Sequence, residues 1–315
     1  MRICSIACAS VCALGGSLFA PSLASAQLVF GTTTPTTSNP SAMYLDVTTN
    51  QITTLWNSAA NKKVNGAAAD LIGRRLYTND AARLNFWDFG SVGTTPTFIA
   101  GMYRTNDNVT FTATGVDSLA WANGHLYGGT SFGSTVFKRG IYQIATTSDG
   151  ASTPHCVMTP LWLDPSGIGT SSGTLVLDGL DFNAADNKFY TTQTADATDA
   201  NGNALSRGLY SIDAFGSGAM TKITDFPEGR TDIDGLAIGG GKFWLTAQDA
   251  ASNSILIYPY DPGTNTYGTR LTVPLTDATN RASGATWAPG ALPEPGTLGA
   301  IGVGALGMLV RRRRH

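Results

Sequence analysis

Leu177-Asp178-Gly179-Leu180 and Ile233-Asp234-Gly235-Leu236 are one phrase met twice: an apolar residue, a turn-type pair, then an apolar residue that opens a short strand. Working outward, the phrase recurs as Val64-Asn65-Gly66-Ala67, Val116-Asp117-Ser118-Leu119 and Ala282-Ser283-Gly284-Ala285, with starts 52, 61, 56 and 49 residues apart. Self-similarity at a period near 50 residues is the signature of a propeller or an array. After a Gly/Asn turn each unit continues into a second strand, as in Arg75-Leu76-Tyr77-Thr78, His125-Leu126-Tyr127-Gly128, Lys188-Phe189-Tyr190-Thr191 and Lys242-Phe243-Trp244-Leu245. A third strand (Leu84–Trp87, Gly140–Ile144, Gly208–Ile212, Ile255–Tyr258) and an outer fourth (Thr97–Ile99, Pro160–Leu163, Thr221–Thr224, Arg270–Val273) follow. Four β-rich segments per repeat make a propeller blade.

The fifth unit stops after Ala285-Thr286-Trp287, and its missing strands stand at the other end of the chain. Leu28–Gly31 matches the second strand, Ala42–Asp46 the third and Gln51–Leu55 the fourth. Closing the last blade with N-terminal strands removes two exposed sheet edges at once. The prediction is therefore an all-β, five-bladed β-propeller over residues 27–290. A β-sandwich, the other all-β solution, leaves the complementarity of the two ends without a reason. The aromatics Trp87, Trp121, Tyr127, Tyr142, Phe182, Phe189, Tyr190, Tyr210, Phe243 and Trp244 sit mostly at repeat-equivalent positions and are expected in the packing between blades.

Both ends outside this body carry export features. Arg2 precedes an apolar stretch, and Ala24-Ser25-Ala26 before Gln27 has the small-x-small form that signal peptidase cuts, so residues 1–26 read as a signal peptide. At the other end, residues 291–315 hold Pro293-Glu294-Pro295, a glycine-rich apolar run from Gly296 to Val310, and Arg311, Arg312, Arg313 and Arg314. The run is shorter than the roughly 20 residues that span a bilayer comfortably. Its glycines weaken helix formation. The arginines favour the cytoplasmic side, which leaves Pro293-Glu294-Pro295 outside. Such a tail suits a transient membrane insertion, a short apolar sorting helix; an ordinary C-terminal anchor, a retained transmembrane helix, is the other reading. The tail resembles the PEP-CTERM sorting signal, and the resemblance covers only these residues. It implies processing by an exosortase-like membrane protease, and residence at the cell envelope, cell surface or extracellular matrix of an exopolysaccharide-producing Gram-negative bacterium.

Removing Arg2 and the four tail arginines takes the basic residues from 20 to 15 against 22 acidic ones, a net charge near −7 without a basic cluster. That composition argues against nucleic acid or anionic lipid as a partner. Cys4, Cys8 and Cys12 leave with the signal peptide, so Cys156 has no partner for a disulfide. His125 and His155 are the only histidines of the exported body, and with one cysteine they form no zinc spacing. No Gly-x-Ser-x-Gly elbow or phosphate-binding glycine loop occurs.

Three groups remain as candidate chemistry. Asn65, Asp117, Asp178, Asp234 and Ser283 open the five inner strands, and five such oxygens around a channel mouth would be a set that Ca²⁺ accepts. Recurrence in every unit favours an architectural role instead, with each side chain making an Asx-type turn. Glu228, beside Arg230, Asp232 and Asp234, lies in a loop that one blade alone carries. Those carboxylates would serve as general acid and base, or as ion-pair partners that fix the loop. Asp196, Asp199, Asn201 and Asn203 form an oxygen-dense insertion that departs from an EF-hand loop and also reads as a solvated hairpin tip. These residues favour a non-catalytic module that binds exopolysaccharide or a surface protein. The alternative is an extracellular propeller hydrolase or lyase acting on a glycan or lactone through Glu228, Asp232 and Asp234.

Overall fold

The computed structural model describes residues 27–32, 40–57, 64–80, 83–91, 93–105, 110–111, 116–130, 139–164, 175–198, 204–275 and 282–289. The expected signal peptide and sorting tail, with its expected transmembrane helix, lie outside these residues. Among the described residues no helix is long and apolar enough to cross a membrane.

Five sheets stand around one axis as blades. Blade one runs outward from Gly66–Asp70 through Arg75–Asn79 and Leu84–Asp88 to Thr97–Ala100. Blade two is Ser118–Ala122, His125–Thr130, Gly140–Ser148 and His155–Leu163. Blade three is Gly179–Asn183, Lys188–Gln193, Gly208–Ile212 and Met220–Thr224. Blade four is Ile233–Gly239, Lys242–Asp249 and Ser254–Asp261, with Thr266–Tyr267 and Leu271–Pro274 sharing its outer edge. Blade five takes Ala282–Trp287 from the C-terminal side and Gln27–Thr32, Pro40–Asp46 and Gln51–Asn57 from the N-terminal side. The innermost strands touch in the order one, two, three, four, five and back to one, which closes the ring.

The closing strand works in both directions. Leu28 stands opposite Trp287 and Phe30 opposite Ala285, while Leu28 also faces Leu45 on the other side. All six residues of Gln27–Thr32 are buried, because a blade has a neighbour on each face. Alternate side chains of this strand therefore enter different seams: Val29 packs with Leu76 and Trp87 of blade one, and Leu28 and Phe30 with Trp244 and Ile257 of blade four. This two-sided burial explains why the inner strands are apolar runs rather than alternating ones. Among the described residues the core is accordingly five clusters, one per seam, each drawing on two adjacent blades.

Two local rules of the sequence take on new meaning. The turn-type pairs of the repeated phrase suggest turns, yet Gly66, Gly179, Gly235 and Gly284 belong to the innermost strands. A Cβ on Gly66 would fall 2.7 Å from the backbone nitrogen of Leu119, one on Gly179 2.9 Å from that of Leu236, and one on Gly284 2.7 Å from Cα of Gly66. The repeated glycine is thus what lets neighbouring inner strands approach around the axis. Blade two has Ser118 in this place, whose hydroxyl donates to the carbonyl of Leu177 at 2.7 Å. Side-chain turns stand at the hairpins, among them those that follow the third strands. Asp46 accepts from the amides of Thr48 and Thr49, Asp149 from Ala151, Asp213 from Ser217, and Asp261 from Gly263 and Thr264. These are Asx turns that set the hairpins to the outer strand.

Blade two departs from the expected four strands. The connection from blade one lays Met102–Thr105 parallel to His155–Leu163, and Thr110–Phe111 adds a further strand outside it. The outer edge of that blade is covered by this pairing.

Candidate functional site

The inner strands begin at one rim, the entry rim, and end at the other, the exit rim. Among the described residues, the candidate carboxylates Asp117, Asp178, Asp196, Glu228, Asp232 and Asp234 belong to the entry rim. There Glu228 sits in a 3₁₀ turn, Pro227–Gly229, with left-handed backbone (φ 54°). Its Oε2 accepts from the Tyr258 hydroxyl at 2.9 Å and from Nη1 of Arg270 at 2.8 Å. Arg230 holds Asp232 with both ends of its fork, Nε to Oδ1 at 2.9 Å and Nη2 to Oδ2 at 2.7 Å, and also reaches the carbonyl of Gln248. Glu228 and Asp232 are therefore tied to different arginines, which fixes the loop against blade four.

Asp178 accepts from the Thr194 hydroxyl rather than from its own backbone. Burial, with a further contribution from the Asp117 charge, pushes its carboxyl up to about 6. Ser283 donates across the ring closure to the carbonyl of Asn65 at 2.9 Å. Among the described residues no group of three or more His, Cys, Asp or Glu side chains is placed to hold a metal ion, and Asp117, Asp178 and Asp234 were among those residues. Asp196 is exposed and accepts from the amide of Arg207 at 3.2 Å; Asp199, Asn201 and Asn203 lie outside the described residues. Cys156 is buried in the seam between blades one and two, and burial pushes its thiol up to about 12. His155 pairs with Asp149 at 3.2 Å, and His125 with Gln143 at 3.1 Å.

The exit rim holds what titratable residues did not reveal. A cavity of about 410 Å³ opens there, with walls from all five blades: Leu71 and Ile72 of blade one, Trp121 of two, Phe182 of three, Ile238 of four and Trp287 of five. Such a volume lies within the range of small-ligand sites. Ala69, Trp121, Phe182, Ile238 and Trp287 share one register, opposite Leu76, Leu126, Phe189, Phe243 and Leu28. They form a ring, five residues beyond the start of each repeated phrase. Ring packing against the preceding blade orients two of them. Trp121 stacks on Tyr77 (5.4 Å, 4°) and Trp287 on Trp244 (5.6 Å, 12°). Gly239 makes room for Trp287, since a Cβ there would meet the indole at 2.0 Å. Most of the expected core aromatics are buried, but Trp121 and Phe182 are only half-buried and face this opening.

Among the described residues, Asp181 is the only titratable side chain lining the cavity. Ala68, Ala120 and Ala237 take the equivalent place in blades one, two and four. Its Oδ1 accepts from the amide of Phe182 at 2.8 Å, and Oδ2 from the amide of Ile238 on the next blade at 2.6 Å. Burial outweighs these two bonds and pushes the carboxyl up to about 7. Both lone-pair sets that face the protein are spoken for, so this group latches two blades more than it offers acid–base chemistry.

A pH dependence follows. An unfolded aspartic acid ionises near 3.9, whereas folded Asp181 and Asp178 keep their protons towards about 7 and about 6. Between those values the native state binds protons that the unfolded chain has lost. Their contribution is complete below about 3.9 and is lost as pH rises through the folded values. Thermal melts should therefore show a higher Tm at pH 5 than at pH 8. Asp181→Ala, the residue of three other blades, should shrink that difference; an unchanged difference would assign it to other groups. Asp213 and Asp249, whose hydrogen bonds with Ser217 and Ser252 hold them below the ordinary range, act only at lower pH.

Fold and rims together define a five-bladed β-propeller with an apolar, aromatic mouth. Residues 291–314 match the PEP-CTERM protein-sorting motif, so the chain is an exported, cell-envelope-associated propeller handled by the exosortase system. No curated protein matches the chain in sequence. Among solved structures it is similar to a chain of a nidogen–laminin complex at 14% identity, covering 83% of this chain and 98% of that one, with TM-score 0.47. It is also similar to TolB from Acinetobacter baumannii (12% identity, 84% and 67% covered, TM-score 0.45). A third is the periplasmic gluconolactonase of Pseudomonas aeruginosa (11% identity, 82% and 99% covered, TM-score 0.41).

Proposed function

We propose that the propeller is a non-catalytic binding module that takes exopolysaccharide at the cell surface or in the extracellular matrix. The observation that carries this reading is the exit-rim cavity, whose walls are mainly Trp121, Phe182, Trp287 and aliphatic side chains, with Asn123, Asp181 and Thr286 as polar groups among them. Aromatic rings supply large, rigid contact area with little conformational entropy to lose, and they suit the apolar faces of sugar rings. The hydrolase or lyase alternative needs two carboxyl groups acting on one bond. Glu228 and Asp232 are instead engaged by Arg270 and Arg230, and among the described residues Asp181 has no second carboxyl beside it in the cavity.

Native affinity electrophoresis of residues 27–292 through gels containing bacterial exopolysaccharides tests this. Retardation with the polymer intact is the expected result, and Trp121→Ala, checked for its fold by circular dichroism, should weaken it at least several-fold. Glu228→Gln should leave retardation unchanged. The Glu228–Arg270 pair is 52% and 42% exposed, so its loss should cost under about 1 kcal/mol. A cleared zone behind the band that Glu228→Gln abolishes would hand the function to the hydrolase or lyase reading. Absence of retardation in every gel would point to a protein ligand.

A further inference from the structure

The exit rim is also the face from which the chain leaves the propeller. The last inner strand ends at Trp287, a wall of the cavity. Ala288 is fully buried and its amide donates to the carbonyl of Gln27 at 3.0 Å, so the departure point is fixed at that rim. Seven residue steps separate Pro289 from Gly296, where the apolar run of the tail begins. Even fully extended, they reach no more than about 25 Å. Any membrane that holds the tail is therefore held close to the exit rim.

That rim presents apolar side chains outward. Ile72, at the tip of the turn between the first two strands of blade one, is 98% exposed, and its neighbour Leu71 is 46% exposed. Beside them stand the half-buried indoles of Trp121 and Trp287. An aliphatic tip beside tryptophans matches the interfacial region of a bilayer, where indoles prefer to sit. The net charge near −7 of the exported body disfavours an anionic surface, so the matching surface is zwitterionic lipid.

We infer that the exit rim is a lipid-docking face: while the tail is held in the membrane, Leu71, Ile72 and the indoles of Trp121 and Trp287 rest on zwitterionic lipid. The cavity mouth then faces the bilayer, and removal of the tail turns it free. This rests on the reading of the tail as membrane-held during sorting, and it adds an order to the proposed binding, with ligand taken after release.

The test uses the exported chain, residues 27–315, on phosphatidylcholine vesicles. A polarity-sensitive fluorophore is attached at Ile72→Cys on the exit rim or at Thr231→Cys, an exposed entry-rim position; the native Cys156 is buried. The expected result is a several-fold brightening and blue shift at position 72 on vesicle binding, quenching there by spin-labelled lipid, and no response at position 231. Adding Leu71→Ser should reduce the response at position 72. A chain that floats with the vesicles while position 72 stays in a water-like environment would overturn the docking face but keep the membrane-held tail. A chain that does not float would overturn both. A blue shift at position 72 already present without vesicles would assign the face to the chain's own tail or to a second copy, and would also overturn the proposal. None of these outcomes bears on whether the tail-free propeller is retarded by exopolysaccharide, so the two proposals fail separately.

Discussion

Gly284→Ala is expected to lower the melting temperature by about 5–20 °C. The backbone at Gly284 has φ +46°, a left-handed conformation that alanine adopts only under strain. The added Cβ would also lie 2.7 Å from Cα of Gly66 and 2.8 Å from the carbonyl oxygen of Asn65. Both neighbours are backbone of the adjoining inner strand, so no side chain can swing aside. Left-handed strain costs about 1–3 kcal/mol and overpacking about 1–3 kcal/mol more. At roughly 2–4 °C per kcal/mol for a body of this size, the two give the stated range. Gly241→Ala is the control: its φ is +74°, but nothing lies within 4 Å of the added carbon. It carries the conformational term alone and should lower Tm by only a few degrees. Equal effects at the two sites would mean that axial crowding is not what Gly284 relieves.

That pair of glycines shows where local sequence logic reached its limit. Asp-Gly and Asn-Gly are turn signals when only near neighbours count. In a ring of five strands the same glycine is required because another strand's backbone lies where a side chain would begin. The period of the phrase, rather than its local meaning, carried the fold, and every expected inner, second, third and outer segment lies in or overlaps a strand. The additional strand Met102–Thr105 was not legible, since its partner Val157 is more than fifty residues away and its pattern carries no alternation. The site suffered from a different bias. Carboxylates point to the entry rim, where the structure ties Glu228 and Asp232 into ion pairs. Trp121, Phe182, Ile238 and Trp287 were present at one repeat position, but on strands buried from both sides an aromatic residue looks the same whether it ends in a seam or at a mouth.

The second large effect concerns closure. A chain beginning at Val64 lacks the second, third and fourth strands of blade five and should show no cooperative thermal transition. Its strand Ala282–Trp287 would lose its ladder partner Gln27–Thr32, the only one among the described residues. Two seams would open together. Leu28, Phe30, Met43 and Leu45 fill the contact with blade four, and Val29, Tyr44, Leu55 and Trp56 the contact with blade one. Each of these buried side chains is worth about 1.5–3 kcal/mol, so even half of them rival the roughly 5–15 kcal/mol of net stability that a domain has. The remaining four blades would also expose Trp244 and Trp87, an aggregation hazard. Supplying residues 27–57 as a separate polypeptide should restore a cooperative melt. The break falls between the outer strand of blade five and the inner strand of blade one, where no ladder is cut. Rescue should depend on concentration, because closure in cis has become association in trans. A Leu28→Asp segment should fail, since it carries a charge into the fully buried seam with blade four. A stable, cooperative four-blade chain without the added segment would show that ring closure by the N-terminal strands is dispensable, and the seams between the remaining blades would then have to account for the stability by themselves.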